Sequence, residues 1–291
     1  MPATGGRPMD IKDDIARRSL ELFRKDVREG KVGYVKPWLD LDVEAYRACR
    51  EGGQDVLPKP FCDYPVDRMM MGNVKGKDVL CLAGGGGQQS AVFSLLGARV
   101  TVLDLTPEQL DSDKKAADHY GYEVKTVQGD MRDLSGFSDN SFDRVCQPIS
   151  TLFIPDLTEL YSGVARILRP GGLYAVDFAV PLLYMARNKG WDGEGYVLHV
   201  TEPYMRGAIK ETEDGRLTFG NGESFSEFHH LFSDILNGLI EHGLTIKAVW
   251  ERPKPQGQPS VAGLKPGSDE HTARYIPYGL AVVAERRGPG R

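Results

Sequence analysis

Asp78-Val-Leu-Cys-Leu82 is a short apolar run that leads directly into Ala83-Gly84-Gly85-Gly86-Gly87. An apolar run of this length bounded by glycine reads as a buried strand. The residues that follow read as a helix through Leu96, stopped by Gly97, and Arg99-Val-Thr-Val-Leu-Asp104 reads as a second strand. A strand that ends in a glycine-rich turn and opens a helix sets backbone N–H groups and the positive helix end beside a ligand's polar groups. Open α/β sheets bind cofactors there, outside the carboxyl ends of their strands. A tight turn needs only one or two glycines, whereas this succession keeps side chains out of a ligand's approach.

The alternation continues outward from this unit. Thr106-Pro107-Glu108-Gln109 opens a helix with Thr at the cap, Pro at the first helical position and Gln three residues after the cap, and Gly121 is placed to end it. Residues 123–129 read as a third strand and 142–147 as a fourth. Leu157, Leu160, Tyr161, Val164, Ile167 and Leu168 mark an amphipathic helix that Pro170-Gly171-Gly172 is expected to break, and 173–178 read as a fifth strand. Strands alternating with helices imply right-handed crossovers and a parallel sheet. After Phe178 the rhythm stops, and Asn221-Gly222 suggests a hairpin turn inside the interruption. A helix then carries Phe228, Leu231, Phe232, Ile235, Leu236, Leu239 and Ile240, and strands at 244–251 and 278–284 are joined by a Pro/Gly-rich loop at 252–277.

At the other end, Ile11, Ile15, Leu22, Phe23 and Val27 share one helical face, with Gly30 placed to stop it. Residues 31–64 are irregular and aromatic-rich, with prolines at 37, 58, 60 and 65 in and just after them. The expected organisation is an N-terminal helical cap or lid at 1–74 and a cofactor-binding domain at 75–291, with an insertion at 179–223.

Composition narrows the function. The chain has 36 basic and 41 acidic residues, a net charge of −5, and no Lys/Arg cluster longer than a dipeptide, so it lacks the basic footprint of a nucleic-acid enzyme. No apolar run approaches the roughly 20 residues of a membrane span, and the first residues lack a signal-like apolar core, so a soluble, cytoplasmic protein without a membrane partner is expected. Cys49, Cys62, Cys81 and Cys146 show no CxxC spacing, and the histidines show no ligand spacing, so no metal is expected.

A dinucleotide fingerprint requires G-x-G-x-x-G. Started at Gly84 it meets Gln89 at its last position, and started at Gly85 it meets Ser90. Asp104, at the end of the second strand, can accept hydrogen bonds from both ribose hydroxyls of NAD or of S-adenosylmethionine. Residues 81–87 resemble the first motif of class I S-adenosylmethionine-dependent methyltransferases, with Cys81 in place of the acidic residue and Ala83 in place of the first glycine. Gly129-Asp130-Met131, Phe142-Asp143 and Leu168-Arg-Pro-Gly-Gly-Leu173 are similar to further motifs of that family, in order. The resemblance covers 75–178 well and 226–287 loosely. It implies an α/β, Rossmann-like, seven-stranded sheet, mostly parallel with an antiparallel last strand and helices on both faces. It also implies S-adenosyl-L-methionine as cofactor and S-adenosyl-L-homocysteine as product. The cofactor residues expected are Ala83, Gly84, Gly85, Gly87, Gln88, Asp104, Leu105, Asp130, Met131 and Gln147; the resemblance implies that Asp130 receives the adenine amino group, where taken singly it could cap a turn, and Gln147, at the strand end, reads as a cofactor contact or a loop cap. Nucleic-acid amino-methyltransferases carry Asn/Asp-Pro-Pro-aromatic where this chain has Gln147-Pro148-Ile149-Ser150, and only the proline agrees.

Ser224 and Glu227 form a possible capping box, which would place His229 and His230 in the first turns of their helix. A helix N-terminus lowers an imidazole pKa and leaves a neutral base, although surface or capping histidines fit the same pattern. Trp38, Tyr64, Tyr184 and Tyr204 could wall a substrate pocket or serve as ordinary packing. The expected function is methyl transfer to an O, N or S nucleophile of a small molecule. Its rivals are an NAD-dependent oxidoreductase and a non-catalytic cofactor-binding or scaffold protein.

Overall fold

The computed structural model describes residues 14–29, 40–52, 72–200, 209–210, 227–228, 230–252 and 263–288. Strands β1 (Asp78–Leu82), β2 (Arg99–Asp104), β3 (Val124–Gln128), β4 (Phe142–Gln147), β5 (Leu168–Ala179), β10 (Leu244–Arg252) and β11 (Gly279–Arg286) form one sheet. Their order is β3-β2-β1-β4-β5-β11-β10, and β11 runs antiparallel between β5 and β10 while β1 to β5 pair in parallel. Chain order runs one way from β1 to β3 and restarts on the other side at β4, so β1 and β4 flank the switch point where such sheets open a crevice.

Both faces of the sheet are covered, which is why its central strands are unbroken apolar runs. Alternation sends Val79 and Cys81 into one core, with Val102 and Phe93, under α3 (Gln88–Leu95) and α4 (Pro107–Tyr120). Leu80 and Leu82 enter the other, with Leu160, Tyr161, Tyr174 and Leu239, under α5 (Thr158–Ile167) and α7 (Phe232–Glu241). Pro107 opens α4 and Gly121 closes it at φ 70°, as read, but Thr106 makes no side-chain cap bond.

Several readings are corrected. Pro170-Gly171-Gly172 does not separate helix from strand: α5 ends at Ile167 and β5 begins at Leu168, with Gly171 at φ 77° inside it and a register shift against β4 between Phe142 and Arg144. The irregular 31–64 contains α2 (Val43–Arg50), capped by Asp42, whose Oδ1 accepts from the N–H of Ala45 at 3.0 Å. The interruption after β5 contains α6 (Leu182–Met185) and a hairpin of β6 (Ala186–Trp191) and β7 (Tyr196–Val200). The 252–277 loop contains α8 (Asp269–Tyr275), capped by Ser268. Helix α7 starts at Phe232, not near Ser224, because Glu227–Phe228 is a strand, β9, paired with β8 (Ile209–Lys210). Cross-strand pairing and burial of Phe228 override the helical spacing there. The apolar stripe is correspondingly narrower: Ile235 and Leu239 are buried while Phe232 and Ile240 are exposed. Asn221-Gly222 lies outside the described residues.

The described N-terminal residues contain two helices. Helix α2 buries Tyr46 and Cys49 in the first core, and its Arg50 reaches Gly97 at the amino end of β2, opposite the cofactor edge. Helix α1 (Asp14–Glu29) sits at the carboxyl edge: Arg24 binds Glu108 after β2 at 2.9 Å, and Phe23 meets Phe153 after β4 edge-on at 5.1 Å. Helix α1 thus touches the elements that follow β2 and β4, the strands on either side of β1. No helix among the described residues is long and apolar enough to cross a membrane.

Gly238 in α7 has an unusual constraint, since an added Cβ would lie 2.8 Å from Cε2 of the buried Tyr161 ring. Alanine gains about 1 kcal/mol of helix propensity, but overpacking costs about 1–3 kcal/mol. Gly238→Ala is expected to lower the unfolding free energy by about 1 kcal/mol in urea titration; a more stable variant would show that the ring yields.

Candidate active site

The loop after β1 is held from inside. Gly85 N–H donates to Asp104 Oδ2 at 2.9 Å, Gly86 N–H to Asp113 Oδ2 at 3.0 Å, and Gly87 N–H to Asp113 Oδ1 at 3.1 Å. Three successive loop donors thus point at carboxylates of the protein rather than outward, which corrects the expectation that they face a ligand. Gly86 and Gly87 have φ of 118° and 89°, and Ala83 takes φ 47° where the family motif has glycine. At Gly85 a Cβ would lie 2.7 Å from Gln109 Cβ and 2.9 Å from Asp104 Cγ. The loop's own packing therefore demands three of its glycines.

Asp104 ends β2 half-buried, and its Oδ1 also accepts from Thr106 N–H at 2.8 Å. Burial raises its pKa, opposed by the hydrogen bonds from Thr106 and Gly85. Leu105 beside it is half-buried and accepts from Gln128 at 3.2 Å. Asp113, which the sequence reading missed, is fully buried and also accepts from the Ser90 hydroxyl. A signal was present: Leu110, Asp113 and Ala117 share one face of α4, all buried, so the aspartate interrupts an apolar stripe. Two carboxylates beneath the loop oppose a pyrophosphate and favour a cationic ligand, because the helix end already has its anion.

At the end of β3, Asp130 is buried and paired with Arg132, Oδ2 to Nη2 at 2.6 Å and Oδ1 to Nε at 3.0 Å. Adenine would therefore meet a carboxylate that already has a guanidinium partner. Met131 is half-buried, and its sulfur accepts from Gln147 Nε2 at 3.3 Å. Gln147, at the end of β4, is fully buried; it also donates to Ser150 Oγ at 2.9 Å, and its Oε1 accepts from Tyr174. Its side chain joins the turns after β3 and β4 to β5 from within.

His230 lies just before α7, not in its first turn. Its Nε2 sits 3.0 Å from the carbonyls of both Thr151 and Ile154. Carbonyls only accept, so Nε2 carries the proton and the ring clamps the turn after β4. Burial, rather than a helix end, lowers its pKa, against those backbone bonds, which raise it. His229, Trp38, Tyr64 and Tyr204 lie outside the described residues, and of Tyr184 only the backbone, in α6, is described. The hairpin β6–β7 is pinned to α8 by ring contacts: Trp191 meets His271 at 4.9 Å, and Tyr196 Oη meets His271 Nδ1 at 2.8 Å. Among the described residues no group of three His, Cys, Asp or Glu could hold a metal ion.

Residues 80–176 match a family model described as a methyltransferase domain. An S-adenosylmethionine-dependent methyltransferase from Mesorhizobium loti shares the fold: TM-score 0.61 and 22% identity, covering 75% of this chain and 95% of that one. An uncharacterized methyltransferase of Bacillus subtilis (strain 168), YbaJ, is 31% identical over 213 residues, 72% of this chain and 82% of that protein. The chain belongs to the class I S-adenosylmethionine-dependent methyltransferases. A ubiquinone biosynthesis O-methyltransferase of Xanthomonas oryzae pv. oryzae (strain PXO99A) is 36% identical to the methyltransferase over 145 residues, 46% of this chain and 57% of that protein. The oxidoreductase rival falls with this assignment, and the failed dinucleotide fingerprint agrees with it.

The Asp130–Arg132 pair sets a stability contrast in this methyltransferase. Both side chains are under 10% exposed, at 6% and 8%. Breaking such a buried pair costs about 3–5 kcal/mol, whereas the exposed Arg47–Glu44 pair is worth about 0–1 kcal/mol. Chemical denaturation of Arg132→Ala and Arg47→Ala should show losses in that order, and equal losses would place Arg132 in solvent.

Proposed function

We propose that the methyltransferase transfers the methyl group of S-adenosylmethionine to an oxygen, nitrogen or sulfur atom of a small molecule and releases S-adenosyl-L-homocysteine. One observation carries the acceptor reading. The hairpin β6–β7 and helix α8 both adjoin the carboxyl edge where Ala179 of β5 pairs with Gly279 of β11, and four rings, Trp191, Tyr196, His271 and Tyr275, join them. Aromatic elements anchored beside the cofactor edge suit an acceptor of limited size. The net charge of −5 supplies no attraction for a polyphosphate chain. The related Xanthomonas protein is, by its name, an O-methyltransferase of ubiquinone biosynthesis.

In this reading the cofactor lies along the ends of β1 to β4. Ala83, Gly84, Gly85, Gly87 and Gln88 form its floor, and Asp104 receives the ribose hydroxyls beside Leu105. Asp130 and Met131 face the adenine, while Gln147 positions Met131 and Ser150. Bound there, S-adenosylmethionine supplies a methyl group on a positively charged sulfur, which is a good leaving group. Placement and exclusion of water then carry most of the rate. Helix α1 touches the elements that follow β2 and β4, and neutral His230 fixes the turn after β4. His229 is the proposed base where the nucleophile must lose a proton, and Trp38, Tyr64, Tyr184 and Tyr204 are the proposed acceptor walls.

Two measurements test this. Asp104→Ala should weaken S-adenosyl-L-homocysteine binding by about 1.5–3 kcal/mol in calorimetry, the value of hydrogen bonds to a charged acceptor; unchanged affinity removes Asp104 from the ribose. With labelled S-adenosylmethionine, a panel of phenols, amines and thiols should yield product turnover that RNA, DNA and protein do not, and transfer confined to macromolecules would sink the small-molecule reading.

A further inference from the structure

The family motif carries an acidic residue in β1 where this chain has Cys81, and Cys81 is fully buried with its thiol pushed up by burial and by the neighbouring Cys146 and Asp113. A neutral thiol cannot anchor loop donors as a carboxylate does. The anion comes instead from α4. Asp113 has no exposed surface, and its two oxygens take the N–H groups of Gly86 and Gly87 and the hydroxyl of Ser90. Gly86 N–H is shared with the carbonyl of Gln109, at 3.2 Å, so α4 holds the loop through backbone and side chain together. The carboxylate thus bonds the loop backbone directly, at Gly86 and Gly87.

We infer that Asp113 is a positioning residue of the cofactor loop, supplying from α4 the carboxylate that β1 lacks, and that its buried negative charge makes the loop favour S-adenosylmethionine, which carries a net positive charge, over the neutral product S-adenosyl-L-homocysteine. The inference rests on the cofactor lying at the ends of β1 to β4. An anion behind the loop lowers the energy of a sulfonium in front of it, and the attraction is little screened where water is excluded. The product has lost that charge and leaves more readily.

Burial pushes the Asp113 carboxyl up to about 7, with the charge of Asp104 adding to the rise and the bonds from Ser90, Gly86 and Gly87 opposing it. The titratable groups facing it are Cys81 of β1, Asp104 of β2 and Tyr122 before β3, whose hydroxyl lies 3.3 Å from Ser90 Oγ. Burial raises the thiol and the phenol, so both stay neutral near pH 7. The sign follows by linkage: a cationic ligand favours the ionised carboxylate, so binding releases protons and affinity rises as pH passes upward through the pKa.

The test is calorimetry of the full chain with S-adenosylmethionine and with S-adenosyl-L-homocysteine. Between about pH 6 and about pH 8 the preference for S-adenosylmethionine should rise about fivefold in the wild type. Asp113→Asn should flatten that rise and weaken both ligands, whereas Asp104→Asn should keep a rise, moved to lower pH because the Asp104 charge no longer raises the Asp113 pKa, while weakening both. Should Asp113→Asn fail to fold, the wild type alone decides by comparing buffers of different ionisation enthalpy near pH 7: more protons should be released with S-adenosylmethionine than with the product. Equal release, or a rise that survives in folded Asp113→Asn, overturns the role of Asp113 and leaves the cofactor site standing. A wild type that binds neither ligand at any pH overturns both.

Discussion

Three consecutive glycine N–H groups turned toward two carboxylates hold the catalytic end of this methyltransferase in shape. Glycine loses more conformational freedom on folding than any other residue, so a run of four would otherwise leave the loop without a defined path. Asp104 and Asp113 remove that freedom by fixing Gly85, Gly86 and Gly87 to β2 and α4. The same bonds satisfy backbone donors at the start of α3, where an intrahelical partner is lacking. Removing either acid would leave buried donors unsatisfied, which costs more than the bond itself contributes.

The rest of the edge is arranged around this loop. Gln147 links Met131 after β3 and Ser150 after β4 to Tyr174 inside β5. His230 pins the turn after β4 to the start of α7. Helix α1 bridges the elements that follow β2 and β4. The opposite edge carries α2, whose Tyr46 and Cys49 complete the core beneath α3. The N-terminal helices therefore pack at opposite edges of the sheet.

Legibility followed the range of the interactions. The apolar runs of β1, β2 and β4, Pro107 at the start of α4 and Gly121 at its end were readable because each depends on residues within a turn or two. Helices α2 and α8 carried readable caps in Asp42 and Ser268, but they were lost among prolines and glycines. The early start read for α7 failed because Phe228 fits a helical stripe as well as it fits a strand, and pairing with Ile209 decided the matter.

The sequence by itself determined the alternation of strands and helices from β1 to β5, the glycine turn at the switch point and the acid at the end of β2, since periodicity and local turn chemistry set these. Only the tertiary structure decided which polar groups are buried and with whom. Asp111, Asp113 and Asp118 are alike in α4, yet only Asp113 is buried, and its partners Gly86 and Gly87 stand 27 and 26 residues away. Likewise the fold, not the motif, gave Gln147 its partner Tyr174 and enclosed Asp130 with Arg132. Desolvation makes such contacts strong, and it arises only when distant segments close over them.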